Sequence, residues 1–440
     1  DRDLLANIRS NLFYFDLFAC SNLVLFATGF YDRVHISPFS KSTGPLCKRV
    51  ANEALTGSAA ISAEPLSVPR GHPPNGLAAR STHPKAAGSV RRNRTRPVLS
   101  IIWQLFRQPS VQQLSSLPLA ARSLSELMAA DMLQVDSVIQ RRLASDVAMI
   151  NQIAHYIISA GGKRIRPMLV LLFSKALGFQ GPERHELAAT VEFIHTATLL
   201  HDDVVDESAL RRGRQTANAL FGNAASVLVG DFVYSRAFQM MVSVNRMRVL
   251  DVLADATNVI AEGEVLQLMN MHDPDLAVED YLRVIRFKTA KLFEASARLG
   301  AVLAQVDSDV EESCADYGRS LGTAFQLVDD LLDYEGSTSQ LGKNVGDDLR
   351  EGKPTLPLLL AMERGTSVER DLIRHAIQHG EIARLSEIVE IVRHTGAITA
   401  TRDAARAEAA VAKRSLDMLP QSEHRDALLE LCVRSVERSS

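Results

Sequence analysis

Leu199-Leu200-His201-Asp202-Asp203-Val204-Val205-Asp206 decides how this 440-residue chain is read. On a helix, Asp202 and Asp206 are four apart, so their carboxylates share a face, with Asp203 beside them. Three carboxylates on one turn repel each other, and a solvated acidic helix end is the plain explanation. The preceding residues oppose it, because Val191, Ile194, Thr198, Leu199 and Leu200 describe a largely buried helix. A carboxylate taken from water needs a cation. Oxygen-only donors select a hard ion, magnesium above all.

The pattern returns at Asp329-Asp330-Leu331-Leu332-Asp333, after a second apolar helix carrying Leu321, Ala324, Phe325, Leu327 and Val328. One DDxxD is a weak signal. Two, each ending an apolar helix, describe carboxylate clusters that face each other across one cavity. Carboxylates cannot hold a diphosphate directly, since both are anions, so metal ions must stand between them. The implied chemistry is loss of diphosphate, with the ions stabilising the departing charge.

Cations should then line the same cavity. Gly161-Gly162-Lys163-Arg164-Ile165-Arg166-Pro167 is a glycine turn with three of them, and Arg211-Arg212-Gly213 closely follows the first acidic motif. Glycine permits close backbone approach, and arginine suits bidentate phosphate contact. Each group alone reads as a surface basic cluster. Lys288-Thr289, Gln326, Lys343 and Lys353 mean little singly, although Gln326 shares a helix face with Asp329. His195 lies two turns before Asp202, as a satisfied core residue or as a phosphate donor.

Around these motifs the sequence is helical. Ser123 and Glu126 have capping-box spacing, and Leu124, Met128, Met132, Val135 and Ile139 follow with a helical period. Similar segments continue to the C-terminus between Gly and Pro breaks, and alternating strand patterns are almost absent. Residues 123–440 therefore read as one all-α domain. Residues 1–122 form an extension with 15 Lys or Arg against 6 Asp or Glu, whereas the remainder is acidic. The first methionine is Met128, and residues 62–98 have a disordered composition. Three readings of the extension fit: upstream sequence outside the working protein, a basic targeting segment, or a natural disordered arm. The apolar run 11–30 is interrupted by Asp16, Ser21 and Asn22, which argues against a stable membrane span. A net charge of −3 gives no reason to expect nucleic acid. Cys20, Cys47, Cys314 and Cys432 form no CxxC pair or zinc spacing, which fits a reducing cytoplasm.

Together, Gly161–Pro167, Leu199–Gly213, Gly322–Asp333 and Gly342–Pro357 resemble the trans-isoprenyl (polyprenyl) diphosphate synthases. The runs Glu192–Thr198, Phe221–Asp231 and Ala261–Leu268 look most like the bacterial octaprenyl-forming branch. The resemblance spans residues 123–440 and leaves the extension without counterpart. It implies an isoprenoid-synthase-type helical bundle around a deep central cavity, usually in a homodimer. It places Asp202, Asp203 and Asp206 on one metal-binding wall and Asp329, Asp330 and Asp333 on the other, with three magnesium ions. Lys163, Arg166, His195 and Arg212 are similar to the isopentenyl diphosphate site. Arg211, Lys288, Thr289, Gln326, Lys343 and Lys353 are similar to contacts with the allylic diphosphate, and Asp347 and Asp348 to supports for metal-bound water. Phe287 departs from the small polar residue expected before Lys288.

The resemblance implies elongation of an allylic diphosphate, with farnesyl diphosphate as primer, to octaprenyl diphosphate for a quinone side chain such as that of ubiquinone. Ala197 and Thr198, one turn below Asp202, set how far the growing tail can run, and bulky aromatics close this level in short-chain members. Small residues here favour a long product, within seven to ten units. A terpene cyclase would not need the second phosphate site that Lys163, Arg166 and Arg212 imply. A non-catalytic partner subunit should have lost one acidic cluster, and both are intact.

Overall fold

Apolar residues spaced three or four apart produce helices almost everywhere, and two long helices organise the rest. The computed structural model describes residues 123–335 and 346–438. The extension with its apolar run 11–30, and Lys343, lie outside the described residues. The first helices are α1 (Leu124–Leu143), α2 (Ala148–Ser159), α3 (Ile165–Ala176) and α4 (Glu183–Val205). A two-stranded hairpin, β1 (Leu210–Arg211) and β2 (Arg214–Gln215), leads to α5 (Ala217–Phe221), α6 (Asn223–Ser243) and α7 (Met247–Asn270). Next come α8 (Val278–Ile285), a π-helical turn at Arg286–Ala290, α9 (Lys291–Ala304) and α10 (Ser308–Glu335). The C-terminal part holds α11 (Asp347–Arg350), α12 (Leu356–Arg364), α13 (Ser367–His379), α14 (Leu385–His394), α15 (Ala397–Ser415) and α16 (Glu423–Glu437).

The expected capping box starts α1: Ser123 Oγ accepts from the Glu126 amide, and Glu126 Oε2 accepts from the Ser123 amide at 2.8 Å. The hairpin turn has Arg212 at φ 54° and Gly213 at φ 72°, the doubly positive conformation that a two-residue hairpin needs. It sets Arg212 at the tip.

Helix α4 packs on α1, α3 and α6 through Leu187, Val191, Phe193, Ile194, Ala197 and Leu200, all in the larger core. Helix α10 packs on α9 and α15 and belongs to two cores. Its first half gives Cys314, Tyr317 and Leu321 to the larger core. Its second half gives Leu327, Val328 and Leu332 to a smaller one built with α12–α15. Both motif-bearing helices are thus gripped along their apolar faces, which leaves a polar stripe of each free. Cys314 and Cys432 are buried and free. No helix among the described residues is long and apolar enough to cross a membrane.

Gly263 of α7 sits directly against the π-helical turn. A Cβ there would lie 2.6 Å from the Lys288 amide nitrogen and 2.8 Å from Phe287 Cβ. Backbone cannot swing aside as a side-chain tip can. Gly263→Ala should therefore lower unfolding stability by about 1–3 kcal/mol in urea titration, although Ala in a helix normally gains about 1 kcal/mol over Gly. A variant as stable as the parent would show that the close approach is absent.

Candidate active site

Helix geometry selects what reaches the interior. Along α4, His195, Thr198, Leu199 and Asp202 recur every three or four positions, and Asp206 follows at its C-cap. All five line one cavity of about 860 Å³. Asp329 and Asp330 of α10 line the same cavity, so the two acidic motifs share a single hollow. Asp203 lies about 100° around the helix from Asp202 and is absent from the cavity wall. It is fully buried, and its Oδ1 accepts from Arg211 Nε at 2.6 Å. Asp333 is also fully buried off the wall, and its Oδ2 accepts from the Asp348 amide at 3.2 Å. Ala197 is buried in the larger core, away from the cavity that its neighbour Thr198 lines.

Lysines stand close to the half-buried carboxylates of α4 and α7. Lys288 Nζ is 2.5 Å from Glu264 Oε2 and 4.0 Å from Asp202 Oδ2. Lys353 Nζ is 3.3 Å from Asp206 Oδ2 and also pairs with Glu351. Burial disfavours both ammonium groups, but neighbouring carboxylates, Asp202 and Glu264 for one, Asp206 and Glu351 for the other, raise their pKa values above the ordinary range. The lysines do not offset all the negative charge. Glu264 is pushed up to about 7, first by burial, against the attraction of Lys288. Asp330 is pushed up to about 7 by burial and then Asp348, against hydrogen bonds from Tyr281 and Gln326. Crowded, oxygen-only donors with unrelieved negative charge fit a hard divalent cation. Among the described residues no three His, Cys, Asp or Glu side chains converge tightly enough to hold an ion by themselves. An anionic ligand with oxygens of its own would complete such a shell.

The cationic wall comes from the loop before α3, the first turn of that helix and the hairpin. Lys163, Arg166, Arg211 and Arg212 line the cavity. Gly162 has φ 148°, and a Cβ there would lie 2.8 Å from an Arg212 guanidinium nitrogen, so glycine lets Arg212 lie flat against the loop. The Arg166 guanidinium sits 4.6 Å from the Phe293 ring centroid. Burial lowers its pKa to about 10, with Glu192 opposing and Arg212 adding. Burial, then Arg166 and Arg212, hold His195 far below the usual imidazole range. It is therefore neutral at physiological pH and can still donate one N–H to an anion. Burial, then Arg438, lower the Lys163 pKa, while Asp329 opposes them.

Arg438, Glu192, Glu264 and Tyr281 are cavity residues not anticipated as site residues. Arg438 reaches in from beyond α16, with its guanidinium 3.8 Å from the Phe325 ring centroid and Nη2 3.4 Å from Asp329 Oδ1. Glu192 pairs with Arg164 at 3.3 Å, Glu264 holds Lys288, and Tyr281 donates to Asp330. Only Glu192 and Glu264 lay in motif runs quoted for the resemblance. Phe287 does not displace Lys288: its ring lies 5.2 Å from the Arg283 guanidinium, and Lys288 and Thr289 both line the cavity.

A sequence model of the polyprenyl synthetase family matches residues 147–392. The octaprenyl diphosphate synthase of Escherichia coli (strain K12) is 55% identical over 316 residues, covering 72% of this chain and 98% of that protein. The all-trans-nonaprenyl-diphosphate synthase (geranyl-diphosphate specific) of Rhodobacter capsulatus is 43% identical, over 71% of this chain and 96% of its own. A crystal structure of polyprenyl synthase from Caulobacter crescentus CB15, complexed with calcium and isoprenyl diphosphate, superposes with a TM-score of 0.70. It is 49% identical and covers 72% of this chain and 97% of that one.

If the carboxylates need a bridging anion to retain an ion, Mg²⁺ alone should shift the thermal midpoint little, whereas Mg²⁺ plus inorganic diphosphate should raise it by several degrees. Asp202→Ala or Asp329→Ala should abolish the added rise. An equal rise with Mg²⁺ alone would mean that the protein forms a complete ion site unaided.

Proposed function

The chain belongs to the polyprenyl synthetase family and is a long-chain trans-prenyltransferase; from that premise we propose that it condenses isopentenyl diphosphate with farnesyl diphosphate to reach octaprenyl diphosphate. The observation that carries this reading is one cavity lined by Asp202, Asp206, Asp329 and Asp330 together with Lys163, Arg166 and Arg212. An octaprenyl product is supported by the relative from Escherichia coli, and a quinone side chain such as that of ubiquinone is its proposed use. The working domain is residues 123–440, acting in the cytoplasm. Exposed Leu228 and Val242 of α6, with Val265, Leu268 and Met269 of α7, support a homodimer across that face. A non-catalytic partner subunit is not favoured, because both acidic clusters reach the cavity.

We assign the metal as magnesium, three ions in number, which Asp202 and Asp206 of α4 and Asp329 of α10 would hold. Bound there, it would supply neutralisation of the diphosphate charge. Asp203 holds Arg211 near this wall, and Asp333 supports the turn that carries Asp347 and Asp348. Lys288, Lys353, Thr289 and Gln326 hold the allylic diphosphate. Lys163, Arg166, Arg212 and neutral His195 hold isopentenyl diphosphate. The allylic C–O bond breaks with its electron pair leaving on diphosphate, which yields a delocalised cation. The double bond of isopentenyl diphosphate attacks it to form the new C–C bond, and a proton then passes to the released diphosphate. The protein contributes by placing two substrates and preorganising charge. Leu199, Val284, Ile285 and Phe293 on the wall keep water from the cation.

Thr198, on the cavity wall one turn below Asp202, is the level at which side-chain bulk meets the tail. With farnesyl diphosphate, labelled isopentenyl diphosphate and Mg²⁺, the parent should give an eight-unit product on chromatography, and Thr198→Phe a shorter one. Unaltered length in the variant would place the tail elsewhere, and no elongation by the parent would contradict the assignment. Ala197→Phe should instead lose stability, because that side chain sits in packed core.

A further inference from the structure

Asp330 has both carboxylate oxygens engaged by neutral donors. Tyr281 donates its hydroxyl to Oδ2 at 2.5 Å, and Gln326 Nε2 donates to Oδ1 at 2.7 Å. Thr289 Oγ1 in turn donates to Gln326 Oε1 at 2.9 Å. Gln326 is fixed at both ends: its amide nitrogen donates to Asp330, and its amide oxygen accepts from the Thr289 hydroxyl. Gln326 keeps one further N–H, the polarity that a diphosphate oxygen requires. A reversed amide would turn a carbonyl oxygen toward an anion. Asp330 therefore decides what Gln326 can offer to the cavity that both residues line.

Tyr281 holds Asp330 from another helix. It lies on α8, 49 positions earlier, lines the same cavity and is 4% exposed, so water hardly competes for its hydroxyl. We propose that Tyr281 is a positioning residue of the allylic subsite: its buried hydroxyl anchors Asp330, which orients Gln326 and Thr289 toward the allylic diphosphate. The proposal rests on the assignment of Gln326 and Thr289 to that substrate.

Tyr281→Phe removes the hydroxyl and nothing else. With each substrate varied in turn at saturating Mg²⁺, this variant should raise KM for farnesyl diphosphate about tenfold, the loss of one buried hydrogen bond. KM for isopentenyl diphosphate should not change, because Lys163, Arg166, His195 and Arg212 come from other elements. Asp330→Asn should show the same selectivity, and the double variant should add nothing further. Both KM values unaltered, both rising together, or additive effects in the double variant would overturn the proposal. Turnover by the parent protein separates the two levels. Elongation by the parent with an unaltered variant refutes Tyr281 alone, whereas no elongation by the parent refutes the functional assignment beneath it.

Discussion

Like charges gathered around one hollow are the constraint on which the rest of the structure depends. Asp202, Asp206, Glu264, Asp329 and Asp330 meet in a single cavity, and the cations beside them, Lys288, Lys353 and Arg438, do not relieve all of their charge. The elevated pKa values of Glu264 and Asp330 express that imbalance, with burial as the first cause. Such an arrangement costs folding stability in proportion to its desolvated charge. It persists because α4 and α10 are fastened along their opposite faces by large apolar cores. The cost is recovered when cations and a diphosphate enter, so binding energy and site geometry have the same origin.

Helical periodicity then divides the motif residues. Positions in step with Asp202 on α4 see the cavity, and positions out of step see packed core or a structural partner. Hence Asp203 becomes the anchor of Arg211, and Ala197 becomes core beside the cavity-lining Thr198. Much of the cationic and polar lining is set by irregular backbone. Gly162, the hairpin tip at Arg212 and the π-helical turn carrying Lys288 and Thr289 each aim cationic or polar groups where a regular helix would not. Deviations of this kind concentrate where a ligand is met.

Much of this was legible in the residues. Paired DDxxD motifs after apolar runs, with a Gly-Gly-Lys-Arg-Ile-Arg-Pro turn, carry their chemistry in local spacing, and the all-helical class follows from period alone. Which aspartate of each motif faces inward was less visible, because three acids on one turn look equivalent until the helix is rotated into its core. Arg438 and Tyr281 carried no signal at all. Arg438 lies 109 positions from Asp329, and Tyr281 lies 49 from Asp330, so only tertiary packing unites each pair. Glu192 and Glu264 stood within quoted runs but gained meaning only from their cationic partners, Arg164 and Lys288.

The most direct measurement is anomalous diffraction from crystals soaked with Mn²⁺ in place of Mg²⁺ and a non-cleavable thiolo analogue of farnesyl diphosphate. The account predicts manganese peaks between Asp202 and Asp206 on one wall and Asp329 on the other, all contacting one diphosphate. A diphosphate held by lysine and arginine alone, with no ion touching either aspartate cluster, would contradict it.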